Sequence, residues 1–131
     1  MCSSDLAEIA NGKYKPAAGY IAEEKNIAPV DLGPQHKRGR MVAMTACTEC
    51  HAAQLEGRDG DTPNLDIVGA YNAQQFATLM RTGKPVGGRE LRMMSGVARG
   101  RFVHFTDREV ADLYAYLKAR VDRPLSPGKK P

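Results

Sequence analysis

Apolar positions recur along this chain at helical rather than strand spacing. The last stretch is the clearest: Val110, Leu113, Tyr114, Leu117 and Val121 trace one apolar stripe at helical intervals. Ahead of it, Thr106-x-x-Glu109 reads as a capping box, with Phe105 and Val110 as the hydrophobic staple around it, and Pro124 closes the helix. A second helix is predicted over Ala73–Arg81, where Phe76, Leu79 and Met80 share a face, Gly83 supplies the stop and Pro85 follows. A third runs from about His36 to Thr45, and its small residues Gly39, Ala43 and Ala46 form a stripe against which another helix can pack closely. Leu6, Ile9 and Ala10 suggest a short helix over Asp5–Asn11 that stops at Gly12, and a helical turn is expected to end near Arg99. No segment alternates as a strand does and no repeat is present, so the fold class is all-α.

The rest of the chain divides around these helices. Residues 1–34, punctuated by Pro16, Gly19, Pro29, Gly33 and Pro34, read as an N-terminal extension that packs over the domain or tethers it. The domain itself is expected over 35–121, with 122–131 as a basic tail. Within the domain, Ala52–Thr62 is a polar loop leading to Pro63-Asn64-Leu65, and 83–92 is a glycine-rich loop running to Met93-Met94.

With 131 residues, 6% aromatic and no tryptophan, side chains alone give a thin interior. A buried apolar cofactor would supply missing core area. No run of about 18 apolar residues exists to span a membrane. The N-terminus carries no charged-then-apolar export signal, which fits a mature form whose leader has been removed. Cys2 suits either a lipid-bearing residue that anchors the chain or an ordinary free thiol. The net charge is +4: residues 1–34 hold three basic and five acidic groups, and residues 35–131 hold sixteen and ten. This basic excess is interleaved with glycine and apolar residues and lacks a reading helix or stacking aromatics, which argues against nucleic acid as a partner.

The chemistry concentrates in Cys47-Thr48-Glu49-Cys50-His51. C-x-x-C-H is the attachment pattern for c-type haem: two thiols on one face of a helical turn reach two vinyl groups, and the adjacent histidine ligates iron. A zinc site would need two more ligands from Cys2, His36 and His104, none at knuckle spacing. A thioredoxin-like pair would need a βαβ setting, and no strand precedes Cys47. Covalent haem of this kind belongs to an extracytoplasmic compartment, here the periplasm. Of six methionines, Met1 is terminal, and Met41, Met44 and Met80 are expected to pack. Met93 and Met94 are the candidates for a thioether ligand, with bis-histidine ligation through His36 or His104 as an alternative.

From Gln35 to Val121 the chain resembles class I cytochrome c. The likeness rests on ordered features: a small-residue helix ending in Cys47–His51, Pro63-Asn64-Leu65 after it, a methionine loop, and a closing Leu113-Tyr114-Ala115-Tyr116-Leu117-Lys118 helix. The tract Gly88–Leu117 is most similar to the small monohaem c subunits and domains of bacterial dehydrogenases and oxidases. The resemblance implies three to five helices around one covalent haem c, with the Pro63 carbonyl orienting His51 and a terminal helix crossing through Gly39, Leu113 and Tyr116. It places the axial methionine before a Ser-led turn, which favours Met94 over Met93.

Leu65, Ile67, Val68, Phe76, Leu79 and Leu91 are expected to wall the porphyrin. Arg92 and Arg99 are candidates for the haem propionates. The other cations of the tract, Arg81, Lys84, Arg89 and Arg101, would form a collar that steers an acidic redox partner. Two features depart from the pattern, the N-terminal extension and the alanine at position 43 where the family often has an aromatic, so the helix crossing is expected to be looser there or filled from elsewhere. The implied function is single-electron transfer without substrate turnover. A haem-bearing subunit of a larger dehydrogenase or oxidase and a haem sensor with an open sixth position are the alternatives.

Overall fold

A computed structural model describes residues 7, 8, 10–12 and 28–123. Cys2, Leu6, Ile9 and the expected basic tail from Pro124 onward lie outside the described residues. Of the expected N-terminal helix, Ala7, Glu8 and Ala10 are helical, and Asn11 N–H donates to Ala7 O at 3.0 Å.

The architecture is all-α. Helix α1 (Lys37–Ala46) follows a 3₁₀ turn at Pro34–His36, and α2 (Thr48–His51) continues from it after Cys47. A 3₁₀ segment spans Leu65–Ala70, then α3 covers Ala73–Thr82 and α4 covers Arg92–Gly100. A last 3₁₀ turn at Phe102–His104 leads to α5 (Asp107–Asp122). Among the described residues the nearest thing to a sheet is an isolated antiparallel bridge between Arg58 and Thr62. None of the described helices is long and apolar enough to cross a membrane.

The capping box of α5 forms as its sequence suggests. Glu109 N–H donates to Thr106 Oγ1 at 3.2 Å, and the Glu109 carboxylate accepts Thr106 N–H at 2.8 Å. That backbone bond, aided by the Thr106 hydroxyl, holds the Glu109 carboxyl below its ordinary range. Helix α3 has a second box built from amides: Asn72 Oδ1 accepts Gln75 N–H at 2.8 Å, and Gln75 Oε1 accepts Asn72 N–H at 2.9 Å. Its stop is Gly83, left-handed as expected.

α1 and α5 cross at Gly39. A Cβ there would lie 2.0 Å from the Asp112 carbonyl oxygen and 2.6 Å from Tyr116 Cβ, so the backbones touch where only glycine fits. The crossing is tight despite the alanine at position 43. Ala43 is fully buried in one cluster with Phe76, Phe102, Leu113 and Tyr116, which supply the aromatic bulk. Residues 28–30 lie against this region. Pro29 is buried and its carbonyl accepts Arg40 Nε–H at 2.7 Å, while the Tyr116 hydroxyl donates to Val30 O at 2.8 Å.

Two expectations change. The buried face of α5 runs through Val110, Leu113, Tyr116, Leu117 and Arg120, leaving Tyr114 and Val121 at its half-buried margin. Tyr114 instead packs on Phe76, ring centroids 5.5 Å apart, and its hydroxyl donates to Tyr71 O at 2.8 Å. The methionine pair also sits in the first turn of a nine-residue helix, α4, rather than in an open loop. Ser95 explains the helix start: its hydroxyl accepts Leu91 N–H at 2.8 Å, one turn back, and donates to Gly83 O at 2.5 Å.

Candidate haem-attachment site

Of the five motif residues, Cys47 is the link between α1 and α2, and Thr48–His51 are the single turn of α2. Cys47 N–H closes the last turn of α1 on Ala43 O at 2.9 Å, and His51 N–H then donates to Cys47 O at 2.9 Å. Cys47 is buried, Cys50 half-buried, and both are free thiols. Burial, with a smaller effect of the neighbouring Cys50, pushes the Cys47 thiol up to about 12. A redox pair of thioredoxin type requires the opposite, a thiol lowered toward neutrality. Among the described residues no three His, Cys, Asp or Glu side chains converge to hold a metal ion by themselves.

His51 is buried, and its Nδ1 lies 2.8 Å from Pro63 O. With Nδ1–H donating to that carbonyl, the lone pair of Nε2 is the one left for iron. The intervening loop is bound to the motif at several points. Gly57 N–H donates to His51 O at 2.9 Å, Thr62 Oγ1 donates to Cys50 O at 2.6 Å, and Leu65 N–H donates to Leu55 O at 3.0 Å. Gly57 has φ +81°, and a Cβ on it would lie 2.5 Å from the Pro63 carbonyl carbon, so the loop folds flat onto Pro63 only with glycine there.

Leu55 was the residue that pattern reading passed over. It is fully buried inside a loop whose composition is otherwise polar, with φ +61°. A lone leucine among Gly, Asp and Gln was the available signal. Arg120 was missed likewise, because a charge near the end of an apolar stripe reads as its solvated edge.

Of the expected porphyrin walls, Leu65, Val68, Phe76 and Leu79 are buried, Leu91 is half-buried and Ile67 is 52% exposed. Met80 packs in the core as expected, but Met41 and Met44 are exposed on α1. Met94 is half-buried against the core cluster, whereas Met93 is 73% exposed. His36 is half-buried and His104 exposed.

The basic tract divides into two groups. Arg81 is a structural tie: Nη1 donates to Val103 O at 2.9 Å and to Phe105 O, and Nη2 pairs with Asp107 at 2.7 Å. Arg99 bonds Glu90, and Arg101 lies 3.5 Å from Glu49. Lys84, Arg89 and Arg92 are exposed.

The donor set therefore fits covalent haem: two free thiols on one turn, and an imidazole whose far nitrogen is directed by a backbone acceptor. Residues 36–120 match the family model described as Cytochrome c. No curated protein and no solved structure matches the chain. The matched span takes in the attachment motif, Pro63, the methionine pair and both crossing helices, and the chain belongs to the cytochrome c family as a class I c-type cytochrome, an electron-transfer protein with covalently bound haem c rather than an enzyme.

Proposed function

We propose that this cytochrome is a single-electron carrier with one haem c, its iron held by His51 on one side and Met94 on the other. The observation that carries the reading is the 2.8 Å contact between His51 Nδ1 and Pro63 O, which orients the ring and raises the basicity of the free nitrogen. The haem, when bound, supplies the reversible one-electron couple. Cys47 and Cys50 anchor it through thioethers. The Met94 thioether is a soft donor that, opposite histidine, raises the potential into a carrier's range. Its half-buried place beside the core, against the exposure of Met93, supports choosing it. Leu65, Val68, Phe76 and Leu79 keep water from the pocket, and Leu91 stands at its margin. Arg92 is free to meet a propionate, and Arg99 meets one only by sharing its guanidinium with Glu90.

Exposed Lys84 and Arg89 form the part of the collar available to an acidic redox partner. Family membership points to an extracytoplasmic site, for which we take the periplasm, with Cys2 as a candidate lipid anchor. The same chemistry serves a freestanding carrier and the haem-bearing subunit of a dehydrogenase or oxidase; copurification with a larger enzyme from native membranes identifies the second.

Absorption spectra of the purified protein in both redox states, with intact mass after denaturation, test the reading. A low-spin spectrum with a methionine-to-iron band and the mass of one added haem are expected. Extractable haem overturns covalent attachment, and rapid carbon monoxide binding by the reduced protein overturns methionine ligation in favour of an open-site sensor.

A further inference from the structure

One buried charge has no part in the electron-transfer site as described so far. Arg120, on the last turns of α5, is 2% exposed. Its Nη1 donates to Asn64 Oδ1 at 3.1 Å and to the Asp66 carboxylate, and its Nη2 donates to Gln54 O at 2.9 Å. Nε is buried and, among the described residues, has no hydrogen-bond partner. Everything this guanidinium holds is therefore held by its two terminal nitrogens. They reach both ends of the loop between His51 and the 3₁₀ segment, Gln54 at the start and Asn64 at the finish, and Asp66 in the first turn of that segment.

Asn64 directly follows Pro63. Its side-chain oxygen takes Asp66 N–H at 2.9 Å as well as Arg120, so two donors fix the residue next to the carbonyl that His51 uses. Burial lowers the pKa of Arg120, and the Asp66 carboxylate works against that shift. Asp66 also faces Arg123 at 3.7 Å. A buried ion pair is a poor source of net stability, because desolvation offsets attraction. What a planar two-armed donor supplies is fixed geometry.

We propose that Arg120 is a positioning residue for the iron ligand. It braces the loop from α5 so that the Pro63 carbonyl stays on His51 Nδ1–H, and through that bond it sets the basicity of Nε2 and hence the reduction potential. The inference rests on the haem reading above. Loosening the bond makes the imidazole a weaker donor, which disfavours the ferric form and raises the potential.

The test uses haem-loaded full-length protein and the variants Arg120→Met, Arg120→Lys, Asp66→Asn and Tyr116→Phe. The readouts are haem content, reduction potential, and hydrogen exchange of the His51 ring N–H followed by NMR in the ferrous state. Arg120→Met is expected to raise the potential and speed ring-proton exchange roughly tenfold, as when one hydrogen bond's restraint is lost. Arg120→Lys falls between it and the wild type, since one nitrogen cannot span both ends of the loop. Tyr116→Phe, on the same helix as Arg120, loses only the bond to Val30 and is expected to lower stability without moving either readout. If Arg120→Met does not fold, Asp66→Asn and Arg120→Lys decide. Haem-bearing variants with wild-type potential and exchange overturn this inference alone. A wild type without covalent haem overturns the reading beneath it too.

Discussion

Met93 and Met94 are neighbours in the chain, and their surroundings separate them. One helical step turns Met94 toward the core cluster and leaves Met93 in solvent. Met94→Ala is therefore expected to open the reduced iron to carbon monoxide and abolish the methionine-to-iron band, while Met93→Ala keeps both as in the wild type. The reverse pattern would exchange the two assignments. Ser95, next to them, is fully buried and ties the entrance of the 84–91 loop at Gly83 to its exit at Leu91. Ser95→Ala leaves a carbonyl and an N–H without that partner, at a cost of about 1–3 kcal/mol. Denaturant titration should show that loss, with methionine ligation released at lower denaturant than in the wild type. Unchanged stability would mean that the loop is held by other contacts. The preference for Met94 was legible from its place before a serine; what the serine does was not, because its two partners lie four and twelve residues away.

At the scale of elements, the sequence announced those whose signals are local. The Thr106–Glu109 box, the Gly83 stop and the small stripe of α1 depend on residues within a turn or two, and all three form. Elements whose residues answer to distant partners were harder to read. The apolar stripe of α5 includes Tyr114 and Val121, but the buried face is turned by about one residue, with Tyr116 against Gly39 as the family resemblance implied and Arg120 against the loop. Tertiary contacts chose that face. The crossing itself gives a sharp test. Gly39→Ala places a Cβ against backbone that cannot move unless α1 and α5 separate, and is expected to cost at least about 2 kcal/mol. Gly69→Ala is the control: its Cβ would meet the Val121 side chain, 3.1 Å from Cγ1 and 3.6 Å from Cγ2, and a side chain can yield, so about 1 kcal/mol or less is expected. Equal losses in thermal or chemical unfolding would show that the helices can slide to admit a methyl group at Gly39.

Across the whole molecule, charge is where folding most changes the sequence picture. Of the four cations expected to form the collar, Arg81 is spent on carbonyls and Asp107, and Arg101 on Glu49, while the propionate candidate Arg99 is spent on Glu90. Exposed Lys84 and Arg89 remain to act at long range, on a chain of net charge +4. Attraction of this kind is screened over about 10 Å at 0.1 M salt and about 3 Å at 1 M. Electron transfer to an acidic partner should therefore slow by about tenfold or more between low and high salt, in bimolecular rates measured by stopped flow. Neutralising Lys84 and Arg89 one at a time should slow the reaction at low salt and leave it unchanged at high salt. Arg38→Gln removes the same unit of charge from α1, where it pairs with Asp112. If it slows the reaction as much as the loop variants do, net charge alone steers the encounter, and the loop is not the docking face.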